Sequence, residues 1–283
     1  MPGLPLGRLL KTTAREWQQQ GALRTGAALS YYAVFSIAPL LIIVTFLVGL
    51  VHRGDTLEQV RVQFADFVSP EAADVIAKGV VSAGTRRERG IVHTVLATVL
   101  LVLGTSAFTH ELRASIDAIW NLKPKRGRRL HRALLQRLWT LLFVIGAGLF
   151  LQISVLLNSR ASFYRQYVNA FLPSIEPIWR WVDTGVSFVV VLIIYGLSYK
   201  VLPSIRVAWR DVAGGALVAT LFFSLGKWAV ALYLLPMSFT SVYGVAGSLT
   251  VLLVWLYYCS LVFLFGAKFT QIWAGHFGRP IAD

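Results

Sequence analysis

The feature that most constrains this chain is a series of apolar runs long enough to cross a lipid bilayer. A spanning helix needs roughly 20 mostly apolar residues. Hydrophobic residues make up 56% of the 283 residues and charged residues only 14%, which gives more apolar surface than one water-soluble core could bury. We therefore expect an all-α, polytopic membrane protein. Its six transmembrane helices are predicted at about 29–51, 91–108, 138–158, 184–202, 212–235 and 244–267.

The segments between these spans are shorter than the roughly 50 residues of a minimal domain. Residues 1–283 are therefore expected to form a single integral membrane domain. In the first external loop, 52–90, apolar residues recur at helical spacing and Ser69-Pro70-Glu71 has the composition of a helix start. We expect two short amphipathic helices in this loop.

A further amphipathic helix is predicted directly after the second span. Phe108, Leu112, Ile116 and Ile119 form one apolar stripe at helical spacing. This helix is expected to leave the membrane or to run along its surface, and a turn beginning at Asn121 is expected to follow it.

Positive charge is distributed unevenly between the two sides of the predicted membrane protein. Seventeen Lys and Arg residues fall on the side of both termini and nine on the other side, so both termini are expected to be cytoplasmic. One basic cluster, between the second and third predicted spans, is expected to contact anionic lipid headgroups. It consists of Lys123, Lys125, Arg126, Arg128, Arg129 and Arg132. Because no aromatic residues for base stacking are interleaved with it, we expect no nucleic-acid partner.

The first span contains a proline in a segment rich in hydroxyl groups. Pro39 has no backbone N–H, so a kink is expected, and the freed carbonyl must be satisfied within the membrane. Tyr31, Tyr32 and Ser36 precede it. Two interpretations remain open: a packing kink with tyrosines at the interface, or a bent helix that borders a substrate cavity.

The fifth span carries a lysine deep in an apolar sequence. Thr220, Ser224 and Lys227 are three or four residues apart and therefore share a helix face with small residues. A charge at this depth costs about 2.5 to 3.5 kcal/mol on insertion scales, which favours a functional role. We expect Lys227 to face the bundle interior and to bind an anionic substrate there, with snorkelling to the outer surface as the alternative. Tyr243 and Thr250, at the start of the sixth span, are expected to border the same cavity.

Four stretches resemble the YihY/BrkB family of bacterial inner-membrane proteins. They read GAALSYYAVFSIAPLL (26–41), SIDAIWNL (115–122), GGALVATLFF (214–223) and YGVAGSLTVLLVWLYYCSLVFLFGAKF (243–269). Asp117 stands where an asparagine is expected in the family. The resemblance implies a multi-pass helical protein of the inner membrane. Family members have been labelled ribonucleases, linked to serum resistance, and proposed as envelope transporters of anions or lipid-like molecules.

Hydrolytic chemistry is not supported by the residues. RNA cleavage needs a metal held by clustered His, Asp or Glu, or an acid/base pair in hydrogen-bond reach. The five histidines show no paired ligand spacing, and His110-Glu111 are adjacent in sequence and do not share a helix face. We therefore expect no enzyme activity, no catalytic residue, no metal and no cofactor.

These observations favour a protein that transports or exposes an anionic, lipid-like substrate of the cell envelope. A small-anion exporter is the first alternative. The second is a non-transporting scaffold for envelope assembly. An envelope protein partner and a homo-oligomer both remain open.

Overall fold

The computed structural model describes residues 6–35, 107–122, 146, 176–205, 207–233 and 239–277. Every regular element in these residues is a helix. They are α1 (Leu6–Gln19), α2 (22–35), α3 (107–119), α4 (Glu176–Val201), α5 (Trp209–Tyr233) and α6 (Phe239–Phe277).

Three of these helices are long and apolar enough to cross a membrane. Their apolar segments are Thr184–Val201 in α4, Trp209–Ala229 in α5 and Leu252–His276 in α6. The fourth and fifth predicted spans agree closely with α4 and α5, whereas the apolar segment of α6 continues nine residues beyond the predicted end at 267. An all-helical membrane protein is therefore confirmed in the described part of the chain.

Several predictions fall outside the described residues. These are the loop helices at 52–90, the basic cluster at 123–132, and Ser36 and Pro39. The first three predicted spans are described only at 29–35, 107–108 and 146, all of which are helical.

Helix α6 is the central element, and α1, α4 and α5 pack against it. Its apolar segment is also the most buried of the three. Leu264 of α6 is fully buried in a core that includes Tyr199 of α4, Val212 of α5 and Ile116 of α3. A second, smaller cluster of Leu9, Phe269 and Ile272 joins α1 to the last turns of α6.

A left-handed residue follows α1 and another follows α3, and each ends its helix. Gly21 has φ of 70° between α1 and α2, where glycine adopts the left-handed region without a Cβ penalty. Asn121 has φ of 54° after α3, and the Leu122 N–H donates to the Asp117 carbonyl at 2.9 Å, which is the long hydrogen bond of a Schellman motif. This confirms the predicted turn at Asn121.

The apolar stripe predicted for α3 is also confirmed. Leu112, Ile116 and Ile119 are buried and Phe108 packs against the same core. Helix α3 therefore belongs to the bundle core in the described structure.

Candidate functional site

The predicted small and polar face of α5 divides into two parts. Ala216 and Thr220 are buried in the bundle, and the Thr220 hydroxyl donates to the Ala216 carbonyl at 2.8 Å. Ser224 and Lys227, further along the same helix, are exposed. Thr220 thus supports helix packing in this structure, while its role as a substrate ligand stays a prediction.

Glycines allow α5 and α6 to approach closely at the buried end of this face. A Cβ at Gly215 would overlap the side chain of Thr270 and lie 2.6 Å from the Gly266 carbonyl oxygen, while a Cβ at Gly266 would lie 2.7 Å from the Cβ of Ala219. Gly215 and Ala219, like Gly266 and Thr270, are four residues apart. Close approach through small residues four apart is typical of helix pairs in membranes.

Two tyrosine hydroxyls connect the three spanning helices within the apolar layer. Tyr199 of α4 donates to the Phe263 carbonyl of α6 at 2.9 Å, and Tyr258 of α6 donates to the Phe222 carbonyl of α5. Tyr195 stacks on Tyr199 with ring centroids 5.9 Å apart. These hydroxyls are satisfied within protein, as the absence of water in the bilayer core requires.

Lys227 is exposed on α5 and does not face the bundle interior as expected. It lies six residues before the helix ends at Tyr233, which is about 9 Å of helical rise. Large apolar side chains are exposed on the other faces of this part of α5: Leu221 is 49% exposed, Leu225 58% and Trp228 66%. Lys227 is thus an exposed cation on a helix segment whose other exposed large side chains are apolar.

Helix α2 carries the predicted tyrosines. Tyr31 is 58% exposed, and its ring contacts those of Tyr32 and Phe35 at centroid distances of 5.8 and 4.9 Å. A Cβ at Gly26 of α2 would meet Leu261 and Tyr257 of α6.

The depth of α2 can be compared with that of α5 through their contacts with α6. A Cβ at Gly226 of α5 would meet Tyr258 of α6, and the next residue, Tyr257, is the one that a Cβ at Gly26 of α2 would meet. Both helices therefore flank the same turn of α6. Lys227 directly follows Gly226 in α5, and Tyr31 lies five residues after Gly26 in α2. Whether these helices form opposite walls of one cavity stays a prediction. Thr250 is exposed, and the side chain of Tyr243 lies outside the described residues.

A layer of polar contacts at one end of the bundle was not predicted. Lys268 of α6 is only 1% exposed, and its ammonium group lies 2.9 Å from a carboxylate oxygen of Glu16 in α1 and 2.7 Å from the amide oxygen of Gln271. At the same end, Gln20, directly after α1, donates to the side-chain oxygen of Asn121 at 3.1 Å. These contacts tie α1 to α6 and to the end of α3.

Asp117 and Lys200 extend this layer to the segment between α4 and α5. The two carboxylate oxygens of Asp117 accept from the backbone N–H and the hydroxyl of Ser204, at 3.0 and 2.8 Å. Lys200 donates to the Val207 carbonyl, and its ammonium group lies 5.5 Å from the ring centroid of Trp209. The signal for α1 was available in the sequence as Leu9, Thr13 and Trp17 at helical spacing, two of them apolar, but this helix is far shorter than a span.

Comparison with known proteins identifies the family. The sequence profile of the family described as Virulence factor BrkB matches residues 13–279. The chain belongs to the BrkB family.

Curated BrkB-like relatives extend over most of the chain. A UPF0761 membrane protein of Mannheimia succiniciproducens is 26% identical over 263 residues, which cover 90% of this chain and 86% of that protein. One from Yersinia pseudotuberculosis is 29% identical over 209 residues, which cover 73% of this chain and 67% of that protein. One from Alkalilimnicola ehrlichii is 25% identical over 270 residues, which cover 93% of this chain and 57% of that longer protein. No solved structure matches the chain.

The BrkB resemblance noted from the sequence is thereby confirmed, and with it the assignment as a membrane protein.

The ribonuclease label of some BrkB relatives directs attention to His110 and Glu111 on α3. His110 is exposed and Glu111 is half-buried, and the residues that the structure describes contain no group of three His, Cys, Asp or Glu that could hold a metal ion.

Proposed function

We propose that this BrkB-family protein transports or exposes an anionic, lipid-like molecule of the cell envelope, with Lys227 binding its acidic group. The observation that carries the proposal is that Lys227 is exposed on α5 in a segment whose other exposed large side chains, Leu221, Leu225 and Trp228, are apolar. A headgroup phosphate or carboxylate would supply a charge partner for Lys227, because the one acidic residue of α5, Asp211, lies sixteen residues before it. The exposed apolar residues would contact acyl chains.

An amphiphile fits this surface better than a small anion does. A small anion needs a hydrated or fully polar path, whereas three large apolar side chains are exposed on the same helix as Lys227. Ser224, also exposed and one turn before Lys227, offers a hydroxyl to the same headgroup. Tyr31 and Tyr32 of α2 are assigned to the opposite side of the substrate in this proposal.

The test measures movement of acyl-chain-labelled phosphatidylglycerol across liposomes that contain the purified protein and no other protein. The fraction of label that a membrane-impermeant reductant can reach reports the movement. Because a charge-assisted hydrogen bond contributes about 1.5 to 3 kcal/mol, Lys227→Met is expected to slow the wild-type rate by about ten-fold or more. Its abundance in the membrane and its thermal stability should equal or exceed those of the wild type, because an intramembrane charge is removed.

Arg210→Met is the matched control, because Arg210 is exposed on the same helix but lies in its first turn. It is expected to keep the wild-type rate. Labelled phosphatidylcholine should move no faster than in protein-free liposomes. The proposal is contradicted if Lys227→Met retains full activity, or if the wild type moves both lipids equally. Failure of the wild type to move either lipid would leave the scaffold as the better interpretation.

A further inference from the structure

Helix α1 carries three basic residues along one exposed stripe. Arg8, Lys11 and Arg15 are separated by three and four residues, so they follow one another along a single face of the helix. All three side chains are exposed. We call these three residues the basic stripe.

The opposite side of α1 is already occupied by protein. Leu9 is 2% exposed and packs with Phe269 and Ile272 of α6, and Thr13 is fully buried. The one acidic residue of α1, Glu16, is paired with Lys268. The charge of the exposed face is therefore positive and not neutralised by the acidic residue of its own helix.

The basic stripe lies at the level where the apolar segments of the neighbouring helices end. The apolar segment of α4 ends at Val201 and that of α5 begins at Trp209. A Cβ at Gly214, near the start of α5, would be 3.6 Å from the side chains of both Phe269 and Trp273 of α6. Leu9 of α1 packs against Phe269 and Ile272, in the last two turns of the apolar segment of α6, and this places α1 near the end of the apolar layer.

From this placement we infer that α1 is a docking surface for the acidic phosphodiester headgroups of the bilayer, with the basic stripe as its contact. Each Lys or Arg near an anionic surface strengthens such attraction by about five-fold in affinity. The inference concerns α1 alone and does not depend on the proposed transport.

The experiment measures lipid enrichment around α1 in the full-length protein. A donor fluorophore is attached at Thr12→Cys in a Cys259→Ala background, since Thr12 is exposed and adjoins the stripe. Energy transfer from this donor to acyl-chain-labelled phosphatidylglycerol is then compared with transfer to acyl-chain-labelled phosphatidylcholine. Each labelled lipid is present in trace amounts in mixed vesicles. We expect greater transfer to phosphatidylglycerol, and the difference should shrink in about 1 M salt, where the Debye length is about 3 Å.

Two variants and a second label position make the test specific. Neutralising the stripe with R8Q/K11Q/R15Q should abolish the difference, whereas R8K/R15K, which keeps the charge, should retain it. A donor at Gly185→Cys, near the start of the α4 span where a Cβ meets nothing within 4 Å, should show no preference. Equal transfer to both lipids in the wild type, as expected if an acidic protein were the partner, would overturn the inference. So would a preference that survives R8Q/K11Q/R15Q.

Discussion

The ammonium group of Lys268 lies 2.9 Å from the carboxylate of Glu16, and the two side chains differ sharply in exposure: 1% for Lys268 and 45% for Glu16. The lysine has therefore lost its hydration while its partner has kept much of its own. A desolvated charge of this kind is tolerated because it is paired and hydrogen-bonded. The pair thus fixes α1 to the end of α6.

Glu16→Gln is expected to lower the free energy of unfolding by about 1.5 to 3 kcal/mol, because Lys268 stays buried and charged after losing its anionic partner. The change should appear as a lower thermal midpoint in detergent. Adding Lys268→Met to Glu16→Gln should restore part of the loss, since the unpaired charge is then removed as well. A double variant whose loss equals the sum of the two single losses would show that the residues are not coupled.

The close crossing of α5 and α6 gives a second prediction. Gly215→Ala places a methyl group against Thr270 and the Gly266 carbonyl, and overpacking of this kind costs about 1 to 3 kcal/mol. Gly185→Ala in α4 is the matched control, because its Cβ meets nothing within 4 Å and alanine favours the helix. The thermal midpoint should fall for Gly215→Ala and stay equal or rise for Gly185→Ala. Equal midpoints for the two variants would argue against the crossing.

The sequence predicted the spanning helices because long apolar runs leave few structural options. Spans four and five agree with α4 and α5. Lys268 directly follows the predicted end of span six at 267, whereas the apolar segment of α6 continues to His276, and Lys268 is buried and paired with Glu16. Such a pair joins residues far apart in sequence and is not visible in local hydropathy.

The candidate site was less predictable for a related reason. Helical spacing correctly placed Thr220, Ser224 and Lys227 along one helix, yet helix packing divides them, with Thr220 buried and the other two exposed. Thr220 is buried where its neighbour Ala219 lies close to Gly266 of α6, which is a tertiary contact. Spacing along a helix shows which residues share a face. It does not show how much of that face a neighbouring helix covers.

Asp117 offers a third prediction, because it stands where the family resemblance suggested asparagine. Its two carboxylate oxygens accept from the N–H and hydroxyl of Ser204. Asparagine has only one side-chain acceptor oxygen, so Asp117→Asn should lose one of these bonds, at a cost of about 0.5 to 1.5 kcal/mol. Asp117→Ala should cost more. Thermal unfolding of both variants checks the order, and an unchanged midpoint for Asp117→Ala would show that this contact does not stabilise the fold.

Purified protein is expected not to cleave RNA. His110 and Glu111 follow one another on α3 and do not form an acid/base pair on one face. The measurement is cleavage of a labelled RNA across successive purification steps, with His110→Ala and Glu111→Ala prepared in parallel. Cleavage that copurifies with the wild type and disappears in either variant would contradict the prediction.

The last prediction concerns orientation. Exposed basic residues gather at the end of the bundle that holds α1 and the start of α5, namely Arg8, Lys11, Arg15 and Arg210. Because Lys and Arg are retained on the cytoplasmic side, this end should face the cytoplasm. Val182 is 43% exposed and precedes the apolar segment of α4, so it should face outward.

Single cysteines in a Cys259→Ala background separate the two orientations. An impermeant thiol reagent should label Val182→Cys in intact cells, because this residue is expected on the outer side of the membrane. It should label Thr12→Cys only after the membrane is opened, since α1 is bound to the end of α6 that is expected on the inner side. Labelling of Thr12→Cys from outside intact cells would reverse the topology. It would also place the basic stripe at the outer leaflet, where the cytoplasmic surface potential that attracts such residues does not act.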